Sequence, residues 1–145
     1  MKVDSILRAK GHDVVTIQPW ATVEAALERL IGPPRIGALV VTGVPRGFTG
    51  VLVERDVIKG LRTHGSALLE QRVSDVMSRH VPTCSPDDSV SSIMVRMTQS
   101  RFRHVPVLQH GELVGLISIG DVVRNRLDEM ELETNVLRDL YAARH

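Results

Sequence analysis

Apolar residues Val23, Ala26, Leu27 and Leu30 fall at i, i+3, i+4 and i+7, and Val90, Ile93, Met94 and Met97 repeat that stripe 67 positions later. The spacing places each set on one face of a helix. Thr22 and Ser89 stand immediately before the two stripes, where their side-chain oxygens act as N-caps. Each helix is followed by a short β-like run, Ala38 to Val41 in the first half and His104 to Leu108 in the second. A glycine-containing turn comes next, Gly43-Val44-Pro45-Arg46-Gly47 or Gln109-His110-Gly111. A second run then starts around a glycine and leads into another helix: Gly50-Val51-Leu52-Val53-Glu54-Arg55-Asp56 and Gly115-Leu116-Ile117-Ser118-Ile119-Gly120-Asp121.

Upstream, Val3 to Leu7 aligns with Val73 to Met77, and Thr16 to Pro19 aligns with Thr83 to Pro86. The second half thus lies on the first with shifts of 65 to 70 residues. Each half reads β-α-β-β-α, with a short leading helix at Val3 to Lys10 or Val73 to Ser78. The expectation is an α+β sandwich of two tandem repeats, residues 1–70 and 71–145, packed about a pseudo-two-fold axis. A half of about 65 residues is near the lower limit for a single core and leaves one sheet face open. Stacking two copies buries both faces and creates two equivalent clefts, the natural places for a ligand. From Ile119 to Tyr141 only Gly120 interrupts a helical pattern. Its apolar stripe shifts phase after Met130 to Leu132, Val136, Leu137, Leu140 and Tyr141. This extension is expected either to fold back on its own chain or to contribute to a homodimer.

Composition narrows the function classes. The 145 residues carry 18 Lys plus Arg and 17 Asp plus Glu, a net charge of +1, with 43% apolar content. That balance fits a folded chain and gives no broad basic footprint for nucleic acid. The four aromatics, Trp20, Phe48, Phe102 and Tyr141, are too scattered to stack bases. The longest apolar stretch, Ile36 to Val41, is far below the ~20 residues that span a bilayer. A lone Cys84 and the absence of a signal-peptide pattern point to a reducing, cytoplasmic setting.

The strand-to-helix junction of the second half carries the candidate chemistry. Gly115, Ser118 and Asp121 recur at intervals of three. Ser118 suits a phosphate or ribose oxygen, and an ionised Asp121 accepts from a vicinal diol. Ser-x-x-Asp ahead of an apolar helix is equally a capping pair. The first half keeps Asp56 but has Val53 in place of the hydroxyl. Arg101, Arg103 and His104 precede the other strand, where guanidinium groups suit phosphate. Pro106, which donates nothing to a ladder, implies an edge or ligand-facing position.

These residues resemble a tandem pair of CBS domains, the cystathionine-β-synthase type regulatory module, over essentially the whole chain. The resemblance rests on the leader Val73 to Met77, the strand Arg103-His104-Val105-Pro106-Val107 and the run Gly115 to Asp121. Val53-Glu54-Arg55-Asp56 is similar to the Ser-Glu-Arg-Asp segment of bacterial stand-alone pairs. The resemblance implies a non-catalytic sensor of an adenine nucleotide or adenosyl compound, with AMP, ADP, ATP or S-adenosylmethionine as the regulatory ligand and no required cofactor. It implies that Asp121 holds ribose hydroxyls, Ser118 ribose or phosphate, and Thr83 the base or sugar edge. Val81, Val105, Pro106 and Ile117 would wall the adenine, with Arg103 and His104 at the phosphates. The first-half site, Thr16, Ile36, Ala38 and Asp56, is expected to be weaker, empty or altered. The response must pass to an unknown downstream protein or through the dimer. The alternative is a structural or protein-interaction module with degenerate ligand sites.

A hydrolase reading of Ser118, His104 and Asp121 lacks the Gly-x-Ser-x-Gly elbow. His12, His64, His80, His104, His110 and His145 form no i, i+4 pair or His-Glu-x-x-His run. Cys84 reads as a small buried apolar residue.

Overall fold

The computed structural model describes Met1–Arg144; His145 lies outside the described residues. The order is α1 (Val3–Lys10), β1 (Thr16–Ile17), α2 (Val23–Ile31), β2 (Ala38–Val41), β3 (Gly50–Val53), α3 (Glu54–His64), α4 (Val73–Val76), α5 (Val90–Ser100), β4 (His104–Gln109), β5 (Glu112–Ser118) and α6 (Ile119–Arg144). A 3-10 segment, Gly65–Glu70, joins the halves. The first sheet runs β1-β2-β3, with β1 parallel and β3 antiparallel to β2. In the second sheet β4 and β5 pair antiparallel, and Cys84 bridges Val107 in parallel where a copy of β1 belongs. The mixed α+β repeat expected from the hydrophobic pattern is therefore the fold.

Local chemistry explains the boundaries. Thr22 Oγ1 accepts the Ala25 amide at 3.2 Å, and Ser89 Oγ accepts the Ser92 amide at 3.1 Å. α1 stops at Lys10 because Gly11 takes φ +99°, a conformation that side chains disfavour, while its amide still reaches Leu7 O at 2.7 Å.

Two apolar clusters form, and each contains the leading helix of the other half. Val3, Ile6 and Leu7 of α1 pack with Val90, Ile93, Met97, Val105, Val107 and Ile117. Val73 and Met77 pack with Ile17, Val23, Ala26, Leu30, Leu39 and Leu52. Backbone hydrogen bonds record the same exchange. The Val3 amide donates to Asp88 O, Asp4 to Pro86 O and Val90 to Met1 O, each at 2.9 Å. Their counterparts are Val73 to Ala21 O at 2.8 Å, with Ser74 to Pro19 O and Val23 to Gln71 O at 2.9 Å. This reciprocity is the pseudo-two-fold relation in hydrogen-bond form. The sequence order places each leader in its own half; the structure exchanges them, because each leader's apolar stripe is buried by the opposite helix and sheet.

β2 is buried on both faces. Leu39 and Val41 lie in the first-half cluster, while Ala38 and Val40 on the opposite face are 4% and 0% exposed. Stacking of the halves leaves no open sheet face here.

Candidate functional site

Strand alternation decides which second-half residues reach the cleft. β4 and β5 pair His104 with Ser118, Val105 with Ile117, and Pro106 with Leu116. Residues two apart share a face, so His104, Pro106, Leu116 and Ser118 lie together. Val105 and Ile117 lie opposite, fully buried in the core with α1 and α5. Of the four expected adenine walls, these two are therefore core residues, and Leu116 takes the cleft position. Pro106 is buried rather than at an edge, and its carbonyl accepts the Cys84 amide at 3.0 Å.

A cavity of about 200 Å³ opens between the halves. The first half supplies Lys10, Asp13, Val14, Val15, Ile36, Gly37 and Ala38; the second supplies His104, Leu116 and Ser118. Ile36 and Ala38 thus share a cleft with His104 and Ser118, so the sequence-based division into one site per half does not match the cavity. The physical reason is the packing of the repeats: this cleft takes the end of α1 and the start of β2 from one half and the paired strands β4 and β5 from the other. Gly37 permits that contact, since a Cβ there would stand 2.8 Å from His104 Cε1.

Behind Ser118, the capping pair forms in both directions. The Asp121 amide donates to Ser118 Oγ at 3.2 Å, and the Ser118 amide donates to Asp121 Oδ2 at 2.9 Å. The same Oδ2 accepts from Lys10 Nζ at 2.7 Å, while Nζ also donates to Leu116 O at 2.8 Å. The Lys10 and Asp121 side chains are 34% and 13% exposed. Burial pushes the Asp121 carboxyl upward, but Lys10 and the Ser118 amide outweigh it and hold the group below its ordinary range. His104 is held below its ordinary value by burial first and by the Lys10 charge second. The cleft wall thus combines the His104 imidazole with Lys10 and Asp13, and Asp121 lies behind Lys10 and Ser118.

The remaining expected residues lie elsewhere. Thr83 and Val81 are half-buried and do not line this cavity; Thr83 O accepts from Arg96 Nη1 at 2.7 Å. Thr16 O likewise accepts from Arg29, the residue 67 positions before Arg96. The side chain of Arg103 is exposed, and its carbonyl accepts the Ile119 amide at 2.8 Å. Asp56 is 8% exposed and engaged on both oxygens, taking the Ser78 hydroxyl on Oδ1 at 2.6 Å and the Val53 amide on Oδ2 at 2.9 Å. A second cavity of about 240 Å³ runs beside Asp56, Lys59, Thr63, His64 and Asp75, without Thr16, Ile36 or Ala38. Gly115 is approached by Leu7, whose Cδ2 would lie 2.5 Å from a Cβ placed there.

Sequence reasoning missed Lys10, Asp13 and Leu116. Strand alternation was sufficient to find Leu116. Lys10 gave no local signal, because its role depends on α1 crossing to the other half.

Among the described residues, no group of three His, Cys, Asp or Glu is placed to hold a metal ion. No described helix is long and apolar enough to cross a membrane.

The CBS domain family model matches residues 73–128. A CBS-domain containing protein of Agrobacterium tumefaciens is 41% identical in sequence, with a TM-score of 0.82, over 87% of this chain and 99% of that one. The CBS domain-containing protein YhcV of Bacillus subtilis is 31% identical over 86% of this chain and 87% of its own length. The chain spans 63% of the mitochondrial CBSX3 protein of Arabidopsis thaliana, at 29% identity, and 24% of CBSCBSPB2. Two more distant structures share the fold at 21% identity. They are CBSX2 in complex with AMP, TM-score 0.74, and the MJ0100 domain pair with 5-methylthioadenosine and S-adenosyl-L-methionine, TM-score 0.76.

Proposed function

The chain belongs to the CBS-domain family, and from that premise we propose that it is a non-catalytic sensor which binds an adenine nucleotide in the cleft between its repeats. The observation that carries this reading is the junction at Ser118 and Asp121. Ser118 lines the inter-repeat cleft at a helix start, with the Asp121 carboxylate directly behind it and covered by Lys10, a pairing of groups that suits an anion and a diol once Lys10 withdraws. Adenosine-containing ligands in CBSX2 and MJ0100 support the ligand class.

Lys10 defines what binding requires. Its ammonium occupies Asp121 Oδ2, one of the two oxygens that a ribose diol engages together. Ligand entry moves the ammonium off the carboxylate, freeing Asp121 for the hydroxyls and leaving Lys10 to face a phosphate. The closed cleft, at about 200 Å³, is below the roughly 300 Å³ at the small end of ligand pockets. Withdrawal of Lys10 enlarges it. The exchange also gives the sensor a packing change to report, because α1 is anchored in the second-half core. We propose an unidentified downstream protein as the receiver.

The experiment is thermal unfolding against AMP, ADP, ATP, NAD, S-adenosylmethionine and adenosine. A ligand bound only by the folded state adds RT ln(1 + [L]/Kd), about 2.7 kcal/mol at a hundredfold excess over Kd. The expected result is a shift with phosphorylated adenosines, lost in Asp121→Asn. No shift at millimolar ligand overturns the reading in favour of an interaction module. The Asp121 Oδ2 already shared by Lys10 and the Ser118 amide, and the small cavity, are the observations that favour that second reading.

A further inference from the structure

We propose that the C-terminal part of α6 forms a parallel two-stranded coiled coil with a second copy of this chain. Val122 is the only buried residue of α6 among those described, and every described residue from Met130 onward is exposed. A projecting helical segment of this length is marginal in water without a partner.

The sequence of that segment specifies the partner. Val123, Leu127, Met130, Thr134, Leu137 and Tyr141 follow one another at intervals of 4, 3, 4, 3 and 4. These are alternating d and a positions of a heptad repeat. Val123, Leu127, Met130 and Leu137 are 49%, 59%, 50% and 67% exposed. Thr134 fits the seam because its hydroxyl donates to Met130 O at 2.9 Å, leaving the methyl group for packing. At 100° per residue, the seam lies roughly 130° around the helix from Val122, Asn125 and Glu129, the face turned toward the body. A second helix can therefore approach without meeting the globular part.

Charge selects both the partner and its direction. Taking Leu127 as a, the g positions Arg126 and Glu133 face e positions 131 and 138 of a parallel second helix. Those residues are Glu131 and Arg138 in this sequence, so both pairs are of opposite sign and each occurs twice by symmetry. Leu132, Val136 and Leu140 fall at f, c and g, outside the a and d seam.

The proposal concerns assembly and is independent of the ligand reading. The test is sedimentation equilibrium of the full chain, with thermal unfolding to confirm that each variant folds. The wild type should have twice the mass of the 16.0 kDa chain, and Leu127→Glu with Leu137→Glu should reduce it to one. Glu133→Arg should weaken the dimer about tenfold, and adding Arg138→Glu should restore it. Tyr141→Cys should cross-link rapidly on oxidation, since identical residues meet only in a parallel coil at this distance from its centre. Leu132→Ser with Val136→Ser should leave the mass unchanged. A monomeric wild type, an assembly that survives the Leu127 and Leu137 changes, or a charge reversal that is not rescued overturns the proposal.

Discussion

Removing the Lys10 charge tests whether the ion pair across the repeats is a real constraint. Lys10→Met keeps most of the stem and deletes the ammonium; Asp121→Asn keeps an oxygen for the Ser118 amide and deletes the charge. At 2.7 Å the pair has favourable geometry, but Lys10 is about one-third solvated, so the full value of a buried pair does not apply. Exposed pairs give about 0.2–1 kcal/mol, and breaking a buried one costs roughly 3–5. The intermediate burial sets a coupling energy of about 1–2 kcal/mol. For a chain of this size each kcal/mol moves Tm by about 2–4 °C. A double-mutant cycle isolates the pair, because the Lys10 bond to Leu116 O is lost in both arms that lack Lys10. Denaturant unfolding of the four proteins at pH 7 is the assay. Additivity within about 0.3 kcal/mol refutes the reasoning. The pH dependence has a definite sign. Asp121 is held below its ordinary 3.8 in the fold, so its contribution is fully present above the unfolded value and is lost as pH falls through the folded one. The difference between wild type and Lys10→Met should therefore be constant at neutral pH and shrink below about pH 4.

Two further outcomes follow from packing. Gly115→Ala should destabilise the fold by about 1–3 kcal/mol, measured by denaturant unfolding, because its Cβ collides with fully buried Leu7; an unchanged midpoint would show that α1 yields freely. Cys84 is buried and its thiol is pushed up to about 12, by burial first and by Asp88 second. It should therefore resist iodoacetamide at pH 8 until denaturant is added, as read by mass spectrometry.

The repeat and its helices were legible because periodicity and caps are local. The stripes at Val23 and Val90, the caps Thr22 and Ser89, and the strand starts at Ala38 and His104 all follow from residues within one turn or one strand of each other. The exchange of α1 and α4 was not legible, since the apolar face Val3, Ile6 and Leu7 fits either half equally well. That one ambiguity propagated into the site. With α1 assigned to its own half, Ile36 and Ala38 grouped with Asp56, and Lys10 had no visible partner. Val105 and Ile117 failed for a different reason: a shared position in a motif does not carry the period-two alternation that turns neighbours to opposite faces.

The two equivalent aspartates show how one repeated element acquires different properties. Asp56 and Asp121 both accept the amide three residues upstream, so each caps a helix regardless of ligand. Their second partners differ. Asp56 is 8% exposed and takes the hydroxyl of Ser78, which belongs to the segment following α4 and whose backbone is also paired in both directions with Val51. The bridge holds the Ser78 main chain in place, so Ser78 stays beside the carboxylate even when its hydroxyl rotates away. Asp121 is held by a lysine at the end of α1, on a flexible stem whose departure gives up the bond to Leu116 O but breaks no backbone–backbone hydrogen bond. A rotation of the lysine stem thus clears the second-half aspartate of its partner from the other half, whereas Ser78 stays beside the first-half aspartate wherever its hydroxyl points. The inequality expected from Val53 holds under this proposal for another reason: what separates the two sites is the mobility of the group already bound to each carboxylate.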